Sequence, residues 1–146
     1  MPTSHDVAKY FLSVEGDEGE ISNLKLQKLV YYAQGFSLAL LDEPLFNEPI
    51  EAWMHGPVVA SLYHRYSPYG STSIPAPAQF DAAVFTREQR RLLDDVYEVY
   101  GQYSAWKLRQ LTHAEDPWKD NYEEGVASKV IPSDEMEAYF RDNLVN

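Results

Sequence analysis

Residues 24–35, which read LKLQKLVYYAQG, decide the fold. Ser22 is a good N-cap for a helix through this segment, and Pro44 limits that helix to about Leu41. Apolar side chains form one stripe with a period of about 3.6 residues and a second stripe on the opposite side. The first stripe is Leu26, Leu29, Val30, Ala33, Phe36 and Leu40, and the second is Leu24, Tyr31 and Leu38. A helix that is apolar on two faces is usually buried between layers, so this segment is predicted to be the central helix.

Further helices are expected on either side, each marked by a capping residue or a proline before helically spaced apolar residues. Their expected bounds are Ser4 to Val14, with Thr3 and Asp6 as a capping pair, then Gly56-Pro57 to Tyr66, Thr86 to Gln102, Ser104 to Leu111, and a last helix from near Ser133. Residues 50–54 predict only an edge strand, because Pro49 lacks a backbone donor. The expected fold is therefore mainly α, a compact single domain around a central buried helix, with at most a short edge β element near residues 45–55.

Length and composition are those of a globular protein. The 146 residues, 45% of them hydrophobic, suit one domain spanning 1–146. The absence of cysteine excludes disulfides, thiol nucleophiles and thiolate metal sites. The polar residues 1–6 do not resemble a signal peptide, and no apolar stretch is long enough to span a bilayer. We therefore expect a cytoplasmic protein without a membrane partner.

The charge of the chain is strongly acidic, with 23 acids, 12 bases and a net charge of −11. Such a surface repels nucleic acid and anionic lipid at long range, so no direct nucleic-acid partner is expected. It attracts a basic partner, including a protein whose own substrate is a nucleic acid or a phosphorylated nucleotide. The alternative is that the acidity only keeps the protein soluble. Residues 114–146 hold nine acids and three bases and form the acidic pole.

One small cluster has the residue types of a metal or proton-transfer site. His113 is followed by Glu115 and Asp116, and a metal there would need another ligand from elsewhere, such as His55. The competing interpretation, which we favour, is that His113 ends its helix, where a partly positive ring suits the helix dipole. The chain has no nucleophile-elbow serine, phosphate-binding glycine loop or dinucleotide fingerprint. We therefore expect a protein that is not an enzyme, with no catalytic residue, metal or cofactor.

Aromatic residues are unusually frequent. The chain has 11 tyrosines and 3 tryptophans, types that are enriched at interface hot spots because they join a large apolar surface to a polar tip. Tyr31 and Tyr32 are adjacent on the central helix, so at most one is expected to point squarely into the core. The alternative is that most of these side chains are ordinary core and boundary residues.

Three sequence blocks, taken in order and spacing, resemble a known family. The first is residues 24–35; the second is Pro44-Leu45-Phe46, Ile50-Glu51-Ala52-Trp53 and His55-Gly56-Pro57-Val58-Val59; the third is Leu111-Thr112-His113 and Asp116-Pro117-Trp118. Together they resemble the Panacea domain of SocA-like antitoxins, which also occurs in phage-associated GepA-type proteins. The resemblance runs from about Val7 to Tyr122.

The resemblance implies an antitoxin of a type II toxin–antitoxin system, which neutralises a cognate toxin by direct protein–protein binding. Toxins paired with this family are of unrelated kinds and include relatives of alarmone synthetases, and the SocA branch is described as an adaptor to a ClpXP-type protease. Because no DNA-binding or zinc domain is visible, we expect a stand-alone Panacea domain that binds the toxin itself. The candidate toxin-binding residues are Tyr31, Tyr32, Trp53, His55, Tyr63, Tyr66, His113, Asp116 and Trp118.

The same blocks also suit scaffold roles. Gly35 is expected to permit close helix packing, and Gly56 and Pro57 are expected to shape a turn. Four residues either line a shared pocket or pin the short segments to the central helix: Trp53, His55, His113 and Trp118. Two other functions stay open, a small enzyme that uses His113, Asp116 and His55 with or without a metal, and a regulator that senses a phage product.

Overall fold

The helices are arranged around one central helix. The computed structural model describes residues 1–126 and 128–145. In that part of the chain the α-helices are α1 (Ser4–Glu15), α2 (Asn23–Leu40), α3 (Ala60–Tyr66), α4 (Arg87–Tyr100), α5 (Ala105–His113), α6 (Asp116–Lys119) and α7 (Ser133–Tyr139). A π-helical turn, Phe140–Leu144, continues α7. The prediction of a mainly helical fold is confirmed.

Helix α2 is the central element, as its two apolar stripes predict. It packs against α1, α4, α5 and α7, and most of its residues are buried. The N-cap is also confirmed, since the Ser22 hydroxyl accepts a hydrogen bond from the Lys25 amide at 3.3 Å. A Cβ on Gly35 would lie 2.3 Å from the Phe140 ring, so glycine lets the C-terminal segment pack directly on α2.

The other helix starts follow local capping chemistry. Thr3 and Asp6 form a capping box at α1, and Thr86 and Gln89 form a second one at α4. The Ser104 hydroxyl caps α5 by accepting from the Lys107 amide at 3.1 Å. These starts are recognisable in the sequence because each cap involves residues only three apart.

A small antiparallel sheet covers one end of α2. Its strands are β1 (Glu51–Trp53), β2 (Gly56–Val58) and β3 (Lys129–Val130), in the order β2-β1-β3. The β1–β2 hairpin places Trp53 opposite Gly56, and β3 pairs with the other side of β1. The predicted β element is thus present, but β1 lies in the middle of the sheet rather than at its edge. Its second neighbour comes from a distant two-residue segment that leaves no local sequence signal.

The predicted helix start at Gly56-Pro57 is wrong. These residues form β2, and α3 begins at Ala60 after Val59 as the N-cap. Pro57 is tolerated in a strand because β2 is an edge strand, where a missing N–H need not break the ladder. Gly56 adopts a φ of 125°, which an L side chain rarely takes, and this allows the tight hairpin turn.

None of the described helices combines the length and apolarity that a membrane crossing requires.

Candidate functional site

Three of the candidate contact residues lie in the interior. Tyr31 is 1% exposed and Tyr32 is fully buried, and both hydroxyls donate to Glu115, at 3.1 Å to Oε1 and 2.9 Å to Oε2. The prediction that at most one of them points into the core is therefore wrong, because the two carboxylate oxygens accept both hydroxyls. Tyr66 is buried as well. In this structure Tyr31, Tyr32 and Tyr66 therefore offer a partner little or no side-chain surface, and Tyr66, at 8%, is the most exposed of the three.

Burial sets the ionisation of this interior group. It raises the pKa of Glu115 to about 7, although the hydrogen bonds from Tyr32 and Tyr31 oppose the shift. Burial, followed by the nearby Glu115, raises the pKa of both tyrosines, so their hydroxyls stay protonated as donors. The network joins α2 to the start of α6 and leaves no carboxylate oxygen of Glu115 without a partner.

The structure gathers most of the remaining candidates beside the hairpin. The Trp118 indole nitrogen donates to the Trp53 carbonyl at 2.7 Å, which pins the hairpin to α6. The His113 ring stacks on Trp118, with 3.8 Å between centroids, and the Trp53 ring meets Tyr63 edge-on at 5.0 Å. His55, exposed at the hairpin turn, is close enough to influence the pKa of His113.

Three further residues lie on the surface around the hairpin and were not predicted from the sequence. Met54 is 58% exposed at the hairpin turn, and Trp106 is 63% exposed on α5, so both present large apolar groups to solvent. The Arg109 guanidinium carbon lies 5.1 Å from the centre of the Trp106 ring. The spacing of Trp106, Arg109 and His113, three and seven residues apart on one helix, was an available signal. We call this surface the hairpin face; it comprises Trp53, Met54, His55, Tyr63, Trp106, Arg109, His113 and Trp118.

The hairpin face is aromatic but not acidic. Residues 51–66 and 105–113, which supply all of it except Trp118, contain one acid, Glu51, and three bases, Arg65, Lys107 and Arg109. The carboxylate of Glu51 already accepts a hydrogen bond from the Trp53 indole nitrogen at 2.9 Å. The aromatic hairpin face is therefore separate from the acidic pole of the chain.

Asp116 belongs to the other surface. It lines a groove between α6 and α7 together with Asp120, Glu135, Tyr139 and Asp142. Helix α6 has only four residues and directs Asp116 to this groove, whereas Trp118 lies against the hairpin. The structure therefore does not bring Asp116 together with the hairpin face.

The metal cluster suggested by His113, Glu115 and Asp116 is not formed. Glu115 is turned inward to the tyrosines and Asp116 faces the acidic groove, and no group of three ligand-type residues in the described ranges could hold an ion. His113 ends α5 as predicted. However, burial, then the charges of Arg109 and Lys28, lowers the pKa of His113, so the ring is neutral near pH 7 rather than partly positive.

Lys28 of α2 lies beneath the hairpin face. It is 1% exposed, and burial, then the charge of Arg109, lowers its pKa to about 7. Gly56 passes directly over it, since a Cβ on Gly56 would lie 2.5 Å from the Lys28 Cε and 3.2 Å from the Thr112 Oγ1. The hairpin turn thus forms the cover of this buried lysine.

Comparison with known proteins gives one family and one partial relative. A family model described as "Antitoxin SocA-like, Panacea domain" matches residues 26–119, which include Lys28 and all of the hairpin face. The antitoxin SocA of Caulobacter vibrioides (strain NA1000 / CB15N) is 48% identical over 50 residues, which is 34% of this chain and 27% of that protein. This chain therefore covers about a quarter of the length of that relative. No solved structure matches the chain.

Proposed function

This chain belongs to the family of SocA-like antitoxins with a Panacea domain, and on that premise we propose that it neutralises a cognate protein toxin by binding it directly through the hairpin face. Family membership supports an antitoxin role in general and indicates a non-enzymatic regulator with a toxin as partner. The hairpin face is the part of the proposal that comes from the structure.

The observation that carries the proposal is the exposure of large aromatic and apolar groups in one patch. Met54 is mostly exposed at the hairpin turn, with the half-buried Trp53, Tyr63 and Trp118 around it, and the mostly exposed Trp106 extends the patch along α5 through its contact with Arg109. Interface hot spots are enriched in Trp, Tyr and Arg, and this patch contains all three types. The hairpin face itself carries few charges, so its aromatic and apolar groups supply the contact, while the acidic remainder of the chain attracts a basic partner at long range.

The proposal extends to the kind of toxin and the mode of neutralisation. The net charge of −11 favours a toxin with a basic substrate channel, such as a relative of the alarmone synthetases. Binding would neutralise such a toxin by covering its active site. Delivery to a ClpXP-type protease is an alternative mode, and toxin levels measured in cells with and without the protease would separate the two.

A growth-rescue experiment with the neighbouring gene tests the proposal. Co-expression of wild-type protein should restore growth to cells that express the toxin encoded beside it, and Trp106→Ser should fail to do so. A matched control is Leu40→Ser, because Leu40 is 52% exposed and lies at the far end of α2. Trp106→Ser should weaken toxin binding by about tenfold or more, as expected for a hot-spot tryptophan.

Each outcome has a separate meaning. A neighbouring gene that is not toxic, or toxicity that the wild-type protein does not relieve, would contradict the antitoxin proposal. Rescue by Trp106→Ser but not by Leu40→Ser would retain the antitoxin role and place the contact away from the hairpin face.

A further inference from the structure

The polar side chains on the buried length of α2 are satisfied, with one exception. The satisfied ones hold neighbouring segments in place through hydrogen bonds: Asn23 to the Tyr63 carbonyl at 3.0 Å, Lys25 to the Gly101 carbonyl at 2.7 Å, Gln27 from the Val59 amide at 3.0 Å, Gln34 to the Phe46 carbonyl at 2.9 Å and Ser37 to the Glu43 carbonyl at 2.7 Å. The exception is Lys28, whose Nζ has no hydrogen-bond partner among the described residues.

Two neighbours of Lys28 also carry a buried side-chain nitrogen without a hydrogen-bond partner. Among residues 1–126 and 128–145, the buried side-chain nitrogens and oxygens without a partner are the Lys28 Nζ, the Arg109 Nε and the His113 Nε2. These groups are close enough that Arg109 lowers the pKa of Lys28, and both lower the pKa of His113. The unsatisfied polar atoms are therefore not scattered through the core but form one cluster beneath the hairpin face.

Such a cluster opposes folding of the isolated protein. A buried donor without an acceptor loses its hydration and gains nothing in return, and a buried like charge adds repulsion. Methionine would fill the space of Lys28 without this penalty, so packing alone does not account for a lysine here. One oxyanion between the three groups would accept hydrogen bonds from Lys28 and Arg109, and from the His113 Nε2 once the oxyanion's charge has favoured protonation of that ring, and it would offset the repulsion.

We propose that Lys28, Arg109 and His113 form a receptor for one carboxylate, supplied by an acidic side chain of the toxin. The inference rests on the proposed antitoxin function, because the cluster lies under the face assigned to the toxin. The Met54–Gly56 turn, which covers Lys28, opens to admit the carboxylate beside it, and a docked toxin holds the turn in the open position. The surrounding aromatic side chains then exclude water from the ion pair, which strengthens it.

A side chain of a bound partner suits this receptor better than a free polyanion. The chain carries a net charge of −11, which repels free phosphates and nucleic acids at long range. A carboxylate attached to a partner is brought in by the apolar contacts of the hairpin face. It also carries a single charge and is less costly to desolvate than a phosphate dianion.

The first test uses the isolated protein and sodium acetate as the probe. Thermal midpoints are measured in acetate and in sodium chloride at equal ionic strength for wild type, Lys28→Met and Lys25→Met. Lys25 is the matched control, because it lies on the same helix and its Nζ is already bonded to a backbone carbonyl. Acetate should raise the midpoint of wild type and Lys25→Met but not that of Lys28→Met. Equal responses of all three proteins would overturn the receptor.

The second test uses the toxin encoded by the neighbouring gene. Lys28→Met should weaken toxin binding by about thirtyfold or more, Arg109→Gln should weaken it by less, and Lys25→Met should leave it unchanged. Exchanging one Asp or Glu of the toxin for Asn or Gln should cause the same loss and add nothing further in the Lys28→Met background. A wild-type affinity retained by Lys28→Met would overturn the assignment to the toxin, even if acetate binds. Absence of wild-type binding would contradict the proposed function, while the acetate test still decides the receptor.

Discussion

Two ionisable groups are buried at the central helix, and they differ in whether the protein supplies them with hydrogen-bond partners. Glu115 receives hydrogen bonds from Tyr31 and Tyr32, so its carboxylate oxygens are satisfied within the protein. Lys28, which lies about one turn before Tyr31 and Tyr32 on α2, has an Nζ with no hydrogen-bond partner among the described residues. Burial shifts the pKa of each group to about 7. Both groups are buried, but their hydrogen bonding differs: Glu115 holds the fold together, whereas Lys28 is the group that we propose receives a partner's carboxylate.

The largest expected effect on the free energy of unfolding comes from Glu115, the hydrogen-bonded group. Glu115→Ala leaves the two tyrosine hydroxyls without an acceptor in the core, and it should lower the free energy of unfolding by about 3 kcal/mol. Urea unfolding at mildly acidic pH measures the loss, because Glu115 is then protonated and its own charge does not enter. Tyr32→Phe, which removes one of the two donors, should cost about 1 kcal/mol. An unchanged urea midpoint in Glu115→Ala would show that the network does not stabilise the fold.

Lys28→Met should have a smaller effect of the opposite sign. Removing an unpaired buried amine should raise the free energy of unfolding by about 2 kcal/mol at neutral pH. Lys25→Met, measured in the same urea titration, should lower it by about 1 kcal/mol because a hydrogen bond is lost. If Lys28→Met is as destabilising as Glu115→Ala, the distinction between the two regions fails.

The pH dependence of stability should show the same contrast. The pKa of Glu115 is raised from 4.5 to about 7, so the folded state binds more protons than the unfolded state in that window, and stability falls as pH rises. The pKa of Lys28, which faces Arg109 and His113, is lowered from 10.5 to about 7, so the folded state binds fewer protons and stability rises with pH above 7. Each limb has a slope of up to about 1.4 kcal/mol per pH unit.

Substitutions of the two residues test which group causes the pH dependence of stability below pH 7 and which causes it above pH 7. In urea titrations across pH, Glu115→Gln should flatten the dependence below pH 7, and Lys28→Met should flatten it above pH 7. His113 also has a lowered pKa, so its contribution lies below its usual value of 6.5 and makes stability rise with pH there; His113→Gln serves to separate it from that of Glu115. A dependence that neither Glu115→Gln nor Lys28→Met alters would mean that other groups control it.

The smallest effect concerns the cover of Lys28. Trp118→Phe removes the hydrogen bond to the Trp53 carbonyl and should cost about 1 kcal/mol, with faster hydrogen exchange of the hairpin amides. Trp106→Phe is the control, because Trp106 is exposed and its substitution should leave the exchange rates unchanged. Equal hairpin exchange in the two variants would show that Trp118 does not hold the cover.

The parts of this molecule that sequence could predict are those with local causes. The period of α2 and the caps at Ser22, Thr3 and Thr86 involve residues within a few positions of one another, and they are found as predicted. The middle position of β1 depends on β3, more than 70 residues later, and Pro57 suggested a helix start equally well.

The candidate site could be predicted only in part, because some of its residues are positioned by contacts that are distant in the sequence. Trp53, Trp118 and His113 were chosen from the family blocks, and the structure brings them together. The inward position of both Tyr31 and Tyr32 depends on Glu115, which is more than 80 residues away. Lys28 was missed because a lysine on an amphipathic helix is ordinarily solvent-exposed, and only the fold shows that Gly56 closes over it.

The most direct test of the account is a crystal structure of the protein bound to the toxin encoded beside it. We predict that the toxin covers Trp106 and Met54 and places one Asp or Glu oxygen within hydrogen-bond distance of the Lys28 Nζ. A toxin seated on the acidic groove between α6 and α7, with the Lys28 Nζ still without a partner, would contradict the account.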